Sequence, residues 1–240
     1  MNLSIPCRCC GSFLIKYYCD VSGNNSDHKW FRCICCNSLT TNTDYSGTKK
    51  LYNAFYIEHN IKSLNNDRSV LKGQIEENVN LLVSCGGKSL LDIGCLEGVM
   101  MERMQENGYD CWGFDVIPEI KKYIPKAFSI SEDRIVIGEQ FEASLFNKQF
   151  DIVVCREVIE HVDDPFEMLN QIKMSLTPNG VAQIQTPQYS NDLTLWNQTA
   201  HLLCFEPSML EKAIRYIGME PIKDKCLFWN GGQCWTVKLA

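Results

Sequence analysis

The sequence lacks a long apolar run, which excludes the simplest kind of membrane protein. None of its apolar stretches approaches the roughly 18 to 20 residues that a membrane-spanning helix needs. It also lacks the apolar core of a secretion signal, because Arg8 and Lys16 interrupt the amino-terminal segment. We therefore expect a soluble, cytoplasmic protein with no membrane partner.

An excess of positive charge is missing as well. Residues 1–86 carry nine Lys/Arg against seven Asp/Glu, and residues 87–240 carry fourteen against twenty-two. Proteins that bind nucleic acids owe much of their affinity to basic groups that contact phosphates. Nucleic acid is therefore not expected as a partner.

Cysteine, by contrast, is abundant: the chain has fourteen, seven of them within the first 36 residues. Later cysteines such as Cys95, Cys155 and Cys204 lie in apolar segments, so reduced thiols are expected rather than a disulfide framework. With 45% apolar residues the chain can bury a full core. Its length predicts one main domain with a small appendage.

The amino-terminal cysteines form two CxxC pairs in CRCCG (7–11) and CICCN (33–37). Cys7 and Cys10 make one pair, Cys33 and Cys36 the other, and 22 residues separate the pairs. Four thiolates at this spacing can close a tetrahedron around a structural zinc ion. Gly11 follows the first pair and Asn37 the second, where a tight knuckle favours positive φ.

This pattern predicts a zinc-ribbon-like module over residues 1–48. Two short strands, FLIKYYC and KWFRC, lie between the pairs, and residues 38–48 read as a polar linker. The mid-turn thiols Cys9 and Cys35 are competing ligands, and buried or redox-active cysteines are the alternative to zinc. Residues 49–85 are expected to form a helical linker or lid, with a helix from about 67 to 83.

The segment KSLLDIGCLEGVMMERMQENGYDCWGFDV has the pattern of a βαβ unit. SLLDI predicts a buried strand, GCLEG a glycine turn, VMMERMQENG a helix, and YDCWGFDV a second strand that ends in an acid. Such a turn lets the backbone approach a nucleotide, and such an acid can bind ribose hydroxyls. A dinucleotide-binding oxidoreductase is one interpretation, although the turn lacks GxGxxG.

The segment also resembles the class I S-adenosylmethionine-dependent methyltransferases, whose first motif is an apolar strand followed by DxGxGxG. Asp92, Gly94 and Gly98 match that motif, Asp115 matches the acid of the second, and Leu96 replaces the middle glycine. The resemblance covers residues 86–240 and implies a doubly wound, Rossmann-like α/β fold with a seven-stranded sheet. It implies S-adenosylmethionine as the cofactor and the following candidate contacts: Asp92, Gly94, Cys95, Gly98, Asp115, Val116, Glu139, Gln140, Cys155 and Arg156.

The apolar run FDIVVC predicts a fourth strand that ends at Cys155. The stretch CREVIEHVDDP (155–165) therefore begins at the edge of the sheet where ligands bind in such folds. If VIEH makes a helical turn, Glu157, Glu160 and His161 share one face. Asp164 and Pro165 are suited instead to start the next helix, with Glu167 completing a capping box.

Three interpretations of Glu157, Glu160 and His161 stay open. This segment, together with HLLCFEPSML further along the chain, resembles the ubiquinone-biosynthesis O-methyltransferases. Some members of that family, and of the small-RNA 2′-O-methyltransferases, hold a metal ion with an ExxEH cluster. The resemblance adds His201 as a further ligand for a catalytic divalent cation. Alternatively His161 is a metal-free general base, or the cluster is only a polar turn that shapes the cofactor site.

The combination of these segments with a cysteine-rich amino-terminal module is similar to methyltransferases that decorate sugars, glycans or secondary metabolites. These resemblances imply an enzyme that methylates a small molecule, with a hydroxyl of a sugar, glycan precursor or secondary metabolite as the acceptor. The competing hypotheses are an RNA methyltransferase that grips RNA with the zinc ribbon and a non-catalytic zinc-ribbon interaction protein. The oligomeric state is not predicted.

Overall fold

The computed structural model describes residues 5–22, 27–44, 68–96, 98–121, 130–190, 192, 197, 198 and 200–240. Within 68–74 only the backbone is described. Residues 49–67, the first part of the expected linker or lid, lie outside these ranges. The expected helix of the second part is present as α1, Arg68–Val83.

The elements that follow α1 begin with the strand, helix and strand that the βαβ pattern predicts. The strands are β4 (Ser89–Ile93), β5 (Asp110–Asp115), β6 (Ile135–Ile137), β7 (Phe150–Arg156), β8 (Leu176–Pro187), β9 (Leu203–Cys204), β10 (Met219–Pro221), β11 (Leu227–Trp229) and β12 (Gly232–Leu239). The helices are α2 (Val99–Glu106), α3 (Pro165–Met174) and α4 (Pro207–Tyr216). No helix of the described ranges is both long and apolar enough to cross a membrane.

The large sheet has the order β10-β12-β8-β7-β4-β5-β6, and β11 pairs with β12 at its side. Strands β4 to β8 run parallel, whereas β12 lies antiparallel to β8. The seven expected strands are therefore present, and β11 is an additional one. Strand β8 runs without a break over its twelve residues.

Both faces of this sheet are covered by helices. Because successive side chains of a strand point to opposite faces, Leu91 packs in one core and Leu90 in the other. Helices α3 and α4 contribute to the first core through residues such as Leu169 and Ile214, while α1 and α2 cover the opposite face. The sheet is doubly wound, as predicted.

A second, smaller sheet contains the amino-terminal cysteine segment, which we call the cysteine ribbon (residues 5–44). Its strands are β1 (Ile15–Asp20), β2 (Lys29–Cys33) and β3 (Leu39–Thr41), in the order β1-β2-β3-β9. The interpretation of residues 38–41 as a polar linker is wrong. They are buried, and β3 pairs with β9, so that Leu39 faces Cys204.

Asp151 joins three strands near the amino ends of the parallel strands. Its Oδ2 accepts hydrogen bonds from the backbone N–H groups of Lys88 (2.8 Å) and Ser89 (3.1 Å) and from the Ser89 hydroxyl (3.1 Å). Its Oδ1 accepts one from the Thr177 hydroxyl at 3.1 Å. These bonds, the one from Lys88 foremost, lower the pKa of Asp151.

We expect Asp151→Asn to lower the free energy of unfolding by about 1–2 kcal/mol at pH 7, because an amide NH₂ faces donors. A depressed folded-state pKa gives stability that is present above the unfolded pKa of about 3.9 and is lost as the pH falls through the folded value. The difference in the free energy of unfolding between Asp151→Asn and the parent protein, measured by urea denaturation, should therefore become smaller below about pH 4. Asp20→Asn, which removes an exposed ion pair with Lys29, is the control. Equal stability of Asp151→Asn and the parent protein would show that these hydrogen bonds do not stabilise the fold.

Candidate functional site

A cavity of about 510 Å³ opens where β4, β5 and β7 end. Parallel strands bring their carboxyl ends to one edge of the sheet, and ligands of open α/β folds bind outside that edge. The wall at the sheet contains Gly94, Asp115 and Glu157. The remaining lining residues are Ile93, Phe114, Val116, Glu139, Gln140, Phe141, Glu142, Val158, His161, Val162, Asp163, Asp164, Glu167, Met168, Gln171 and Ala200.

The turn after β4 has the backbone that a glycine-rich loop requires. Gly94, Leu96 and Gly98 all have positive φ, of 74°, 36° and 70°. A Cβ on Gly94 would lie 2.4 Å from Cγ2 of Val158, so only glycine fits beneath that side chain. Leu96 holds a conformation that costs an L residue roughly 1–2 kcal/mol. The backbone of the turn therefore keeps the positive φ typical of glycine at Leu96.

Asp115, at the end of β5, is 4% exposed and lines the cavity. Its two oxygens accept hydrogen bonds from the backbone N–H groups of Leu96 and Ile117, each at 3.0 Å. Burial nevertheless raises the pKa of this carboxyl to about 6. The glycine turn and the β5 acid are thus joined directly by a hydrogen bond.

Five of the ten predicted cofactor residues line the cavity: Gly94, Asp115, Val116, Glu139 and Gln140. The other five, Asp92, Cys95, Gly98, Cys155 and Arg156, are not among its lining residues. Cys95 and Cys155 are buried, Gly98 precedes α2 as its N-cap, and Arg156 donates to the Gln185 side chain at 3.1 Å.

Sequence reasoning missed most of the wall opposite the sheet. Asp164, Glu167, Met168 and Gln171 line the cavity from α3. Their spacing of three and four residues places them on one face of a helix, which is the signal that was present in the sequence. The assignment of Asp164 and Pro165 to the helix start is confirmed, since Asp164 accepts from the N–H groups of Phe166 and Glu167. The Glu167 side chain, however, accepts from Gln171.

Gln185 holds both the backbone and the side chain of Glu157. The φ of Glu157 is 53°, its N–H donates to the Gln185 carbonyl at 2.9 Å, and its Oε1 accepts from Gln185 Nε2 at 2.9 Å. A single 3₁₀ turn then spans Ile159–His161. Consequently Glu157 faces the cavity but does not join the cluster of donor atoms formed by the residues that follow.

That cluster consists of Glu160, His161 and His201, with one donor atom of each residue within 4.8 Å of the others. Nδ1 of His161 lies 2.8 Å from the Ala200 carbonyl. A carbonyl only accepts, so Nδ1 carries the proton and Nε2 of the neutral ring offers a lone pair. Nε2 lies 3.9 Å from Glu160 Oε1. Burial lowers the pKa of His161, which keeps the ring neutral at pH 7.

Glu160 is fully buried. Its Oε2 accepts from the Thr186 hydroxyl at 3.1 Å, whereas Oε1 has no hydrogen-bond partner among the described residues. Burial, and then the nearby Glu157, hold the pKa of Glu160 well above its usual range. A buried carboxyl of this kind is protonated unless a cation compensates its charge.

The four predicted zinc ligands also come together. One sulfur of each of Cys7, Cys10, Cys33 and Cys36 lies within 4.8 Å of the others, and the Cys7–Cys36 and Cys10–Cys33 sulfurs are 3.6 Å apart. A tetrahedral zinc with bonds of about 2.3 Å sets sulfurs about 3.8 Å apart, so the cluster fits zinc. The expected positive φ is confirmed for Gly11 (71°) and Asn37 (63°).

Parallel strands, helices on both faces and a cavity at the carboxyl edge define a Rossmann-like α/β protein. Residues 68–217 match a family described as a methyltransferase domain, and this match covers 150 of the 240 residues. The chain belongs to that family.

Two curated relatives are ubiquinone biosynthesis O-methyltransferases. The one from Histophilus somni is 33% identical over 106 residues, covering 41% of this chain and 44% of the relative. The mitochondrial one from Schizosaccharomyces pombe is 33% identical over 104 residues, covering 42% and 38%. The chain thus spans less than half the length of each of these relatives.

Solved structures show the same fold. Magnesium protoporphyrin IX methyltransferase from Synechocystis, with bound SAH, superposes with a TM-score of 0.64 at 13% identity, covering 82% of this chain and all of that one. A SAM-dependent methyltransferase from Archaeoglobus fulgidus gives 0.56 at 19% identity, covering 76% and 98%. The prediction of a Rossmann-like methyltransferase fold is confirmed.

We expect the purified protein to contain about one zinc per chain, because four thiolates complete the tetrahedral shell. Elemental analysis should show that Cys36→Ser loses the metal. Cys35→Ser is the matched control, since this exposed neighbour is outside the four-sulfur cluster and should leave zinc content unchanged. Full zinc content in Cys36→Ser, or none in the parent protein, would contradict the site.

Proposed function

We propose that this protein transfers a methyl group from S-adenosylmethionine to a hydroxyl of a small molecule such as a sugar, a glycan precursor or a secondary metabolite. The observation that carries the proposal is one cavity bounded by the Gly94 turn, the Asp115 carboxylate and the His161 ring. The first two suit a nucleoside, and the third suits an acceptor that must lose a proton. The curated relatives are named as O-methyltransferases, which supports oxygen as the acceptor atom.

The β4 and β5 side of the cavity would hold the cofactor. Gly94 leaves room for close approach, and Asp115 would accept hydrogen bonds from ribose hydroxyls. Glu139, Gln140 and Phe141 follow β6 at the same edge and supply polar atoms and an aromatic face for a base. When bound, S-adenosylmethionine supplies a methyl group that its sulfonium makes electrophilic.

His161 would serve the acceptor side. Its protonated Nδ1 is held by the Ala200 carbonyl, which fixes the ring and leaves the Nε2 lone pair as the proton acceptor. As the acceptor oxygen forms its bond to the methyl carbon and the carbon–sulfur bond breaks, the hydroxyl proton would pass to Nε2. Such a base contributes on the order of 10² to 10⁴ in rate, and positioning contributes more.

A divalent cation is the second possibility at the same place. Glu160, His161 and His201 would be its ligands, and the unsatisfied Oε1 of Glu160 is the observation that favours it. Oxygen and imidazole donors suit magnesium, manganese or zinc. Such an ion would polarise the acceptor hydroxyl.

The charge of the cavity supports a small acceptor without phosphate. Its lining contains seven carboxylates and, among the described residues, no lysine or arginine. Carboxylates accept hydrogen bonds from hydroxyls but repel phosphates. An RNA acceptor would bring a polyanion to this surface, which speaks against the RNA hypothesis.

We expect S-adenosylhomocysteine to bind, and to bind about tenfold or more weakly once the pH falls well below about 6. The pKa of Asp115 is about 6, and the protonated form loses charge-assisted hydrogen bonds to ribose. Because this pKa is raised on folding, acidification toward pH 4 adds stability at this group, so protonation of Asp115 does not by itself unfold the protein.

Calorimetry between pH 5 and 8 makes this measurement. Asp115→Asn should bind weakly with little pH dependence, whereas the cavity control Asp163→Asn should keep the dependence of the parent protein. Absence of binding at every pH would refute the proposed function. A pH dependence retained in Asp115→Asn would refute the role of this residue.

Titration with Mn²⁺, followed by electron paramagnetic resonance, separates the two possibilities at His161. Mn²⁺ is a hard cation that avoids thiolate sites, so the cysteine cluster should not contribute. If a cation site exists, we expect Glu160→Gln and His201→Ala to weaken binding at least about tenfold. Glu157→Gln should not, because its partner is Gln185. No binding to the parent protein would eliminate the cation site and leave the general base and the polar turn as the interpretations of His161.

A further inference from the structure

The segment 200–204, which contains His201, lies between the 3₁₀ turn of Glu160 and His161 and the cysteine ribbon. On the side of the turn, Leu202 donates its N–H to the Glu160 carbonyl at 2.8 Å, and the Ala200 carbonyl accepts from His161. On the side of the ribbon, the Leu202 carbonyl accepts the N–H of Thr41 at 2.9 Å. The backbone of one residue, Leu202, therefore connects the ribbon to the candidate catalytic groups.

Arg8 makes a second connection, and it starts inside the first CxxC pair. Its guanidinium donates to the Thr40 hydroxyl at 3.1 Å and the Thr41 carbonyl at 3.0 Å, and also to the Thr43 carbonyl. It lies 3.5 Å from Asp163, a residue of the cavity wall. The Arg8 side chain is only 12% exposed, which strengthens these contacts relative to a surface pair.

Asn197 makes a third connection, just before the segment. Its Oδ1 accepts from the indole N–H of Trp30 at 2.6 Å and from the N–H of Ser22 at 3.1 Å. Its Nδ2 donates to the Asp20 carbonyl at 3.0 Å. Trp30 is fully buried, and it packs in one apolar cluster with Val21, Leu39 and Cys204. A loop that leads to His201 is thus fastened in the ribbon by a saturated, buried amide.

We propose that the cysteine ribbon is a positioning element of the acceptor side of the cavity, with Arg8 and Asn197 as its positioning residues. Closure of the four-sulfur cluster fixes the knuckle from which Arg8 extends, and the ribbon then holds segment 200–204 against the turn of His161. This role rests on the proposed function for its catalytic meaning. The cofactor side, at the ends of β4 and β5, belongs to the other sheet and keeps its own contacts.

The inference has a direct readout in the histidine spectrum. The chain has only four histidines, so a protein labelled with ¹⁵N in histidine gives few signals. The Nδ1–H of His161, protected by its bond to Ala200, should give a slowly exchanging signal in the zinc-loaded protein. The amide of Leu202, bonded to Glu160, should be protected in hydrogen exchange.

In Arg8→Ala and in Asn197→Ala we expect amide exchange in segment 200–204 to accelerate about tenfold or more and the His161 signal to broaden or vanish. Affinity for S-adenosylhomocysteine should stay within about twofold, because the cofactor side is retained. Removal of zinc from the parent protein should likewise accelerate exchange in segment 200–204 and weaken the His161 signal, with the affinity for S-adenosylhomocysteine retained. Arg8→Lys should have an intermediate effect on both measurements, since lysine keeps the positive charge but lacks the several N–H donors of the planar guanidinium group. Lys29→Ala, which removes an exposed ion pair on the same ribbon, should change neither readout.

Unchanged exchange and an unchanged His161 signal in both alanine variants would overturn the inference. A parallel loss of cofactor affinity would also overturn it, because the ribbon would then support the whole fold rather than one side of the cavity. If the parent protein binds no S-adenosylhomocysteine, the proposed function fails. The exchange and histidine measurements still decide whether the ribbon positions His161.

Discussion

The backbone of Leu202 is the connection on which the arrangement of the molecule depends. Its N–H is bonded to Glu160 and its carbonyl to Thr41, so it links the turn that follows β7 to β3 of the small cysteine-containing sheet. A backbone bond between buried groups is costly to leave unmade, and here the N–H and the carbonyl of one residue are satisfied by different parts of the chain. The cysteine ribbon and the cavity wall are therefore one structure, although their sequences lie about 160 residues apart.

Two buried acids, Asp115 in the cavity wall and Glu160 next to His161, differ in how their charge is compensated. The negative charge of Asp115 is compensated by two backbone N–H groups of the fold, so this carboxylate can accept further hydrogen bonds from hydroxyl groups. Glu160 has only the Thr186 hydroxyl on one oxygen, and its environment is far less able to hold a negative charge. Buried polar groups without full compensation concentrate at functional sites, because stability alone would have removed them. In this structure the incompletely compensated acid, Glu160, lies next to His161 on the acceptor side.

Much of the fold could be read from local patterns. The CxxC pairs brought four sulfurs together because the knuckle geometry is set within five residues, as the positive φ of Gly11 and Asn37 shows. SLLDIGCLEG predicted β4 and its turn because an apolar run followed by glycine is a local signal. The start of α3 at Asp164 followed from the capping preference of aspartate.

What the sequence could not give depends on long-range pairing. β3 looks polar and has three residues, and its partner β9 lies far along the chain, so the stretch read as a linker. Glu157 left the expected helical face because its φ is positive and Gln185 captures its side chain. Cys155 and Arg156 end β7 as the strand pattern predicts, yet Cys155 is buried, Arg156 donates to Gln185, and neither is among the lining residues of the cavity.

The central claim is that one cavity holds a nucleoside cofactor at β4 and β5 and presents its reactive sulfur toward His161. A crystal structure of the zinc-loaded protein with S-adenosylhomocysteine tests this most directly. The account predicts ribose hydroxyls on Asp115, the ligand backbone against Gly94, and the sulfur on the side of the cavity that contains His161. A nucleoside bound elsewhere, or a sulfur that faces away from His161, would contradict it.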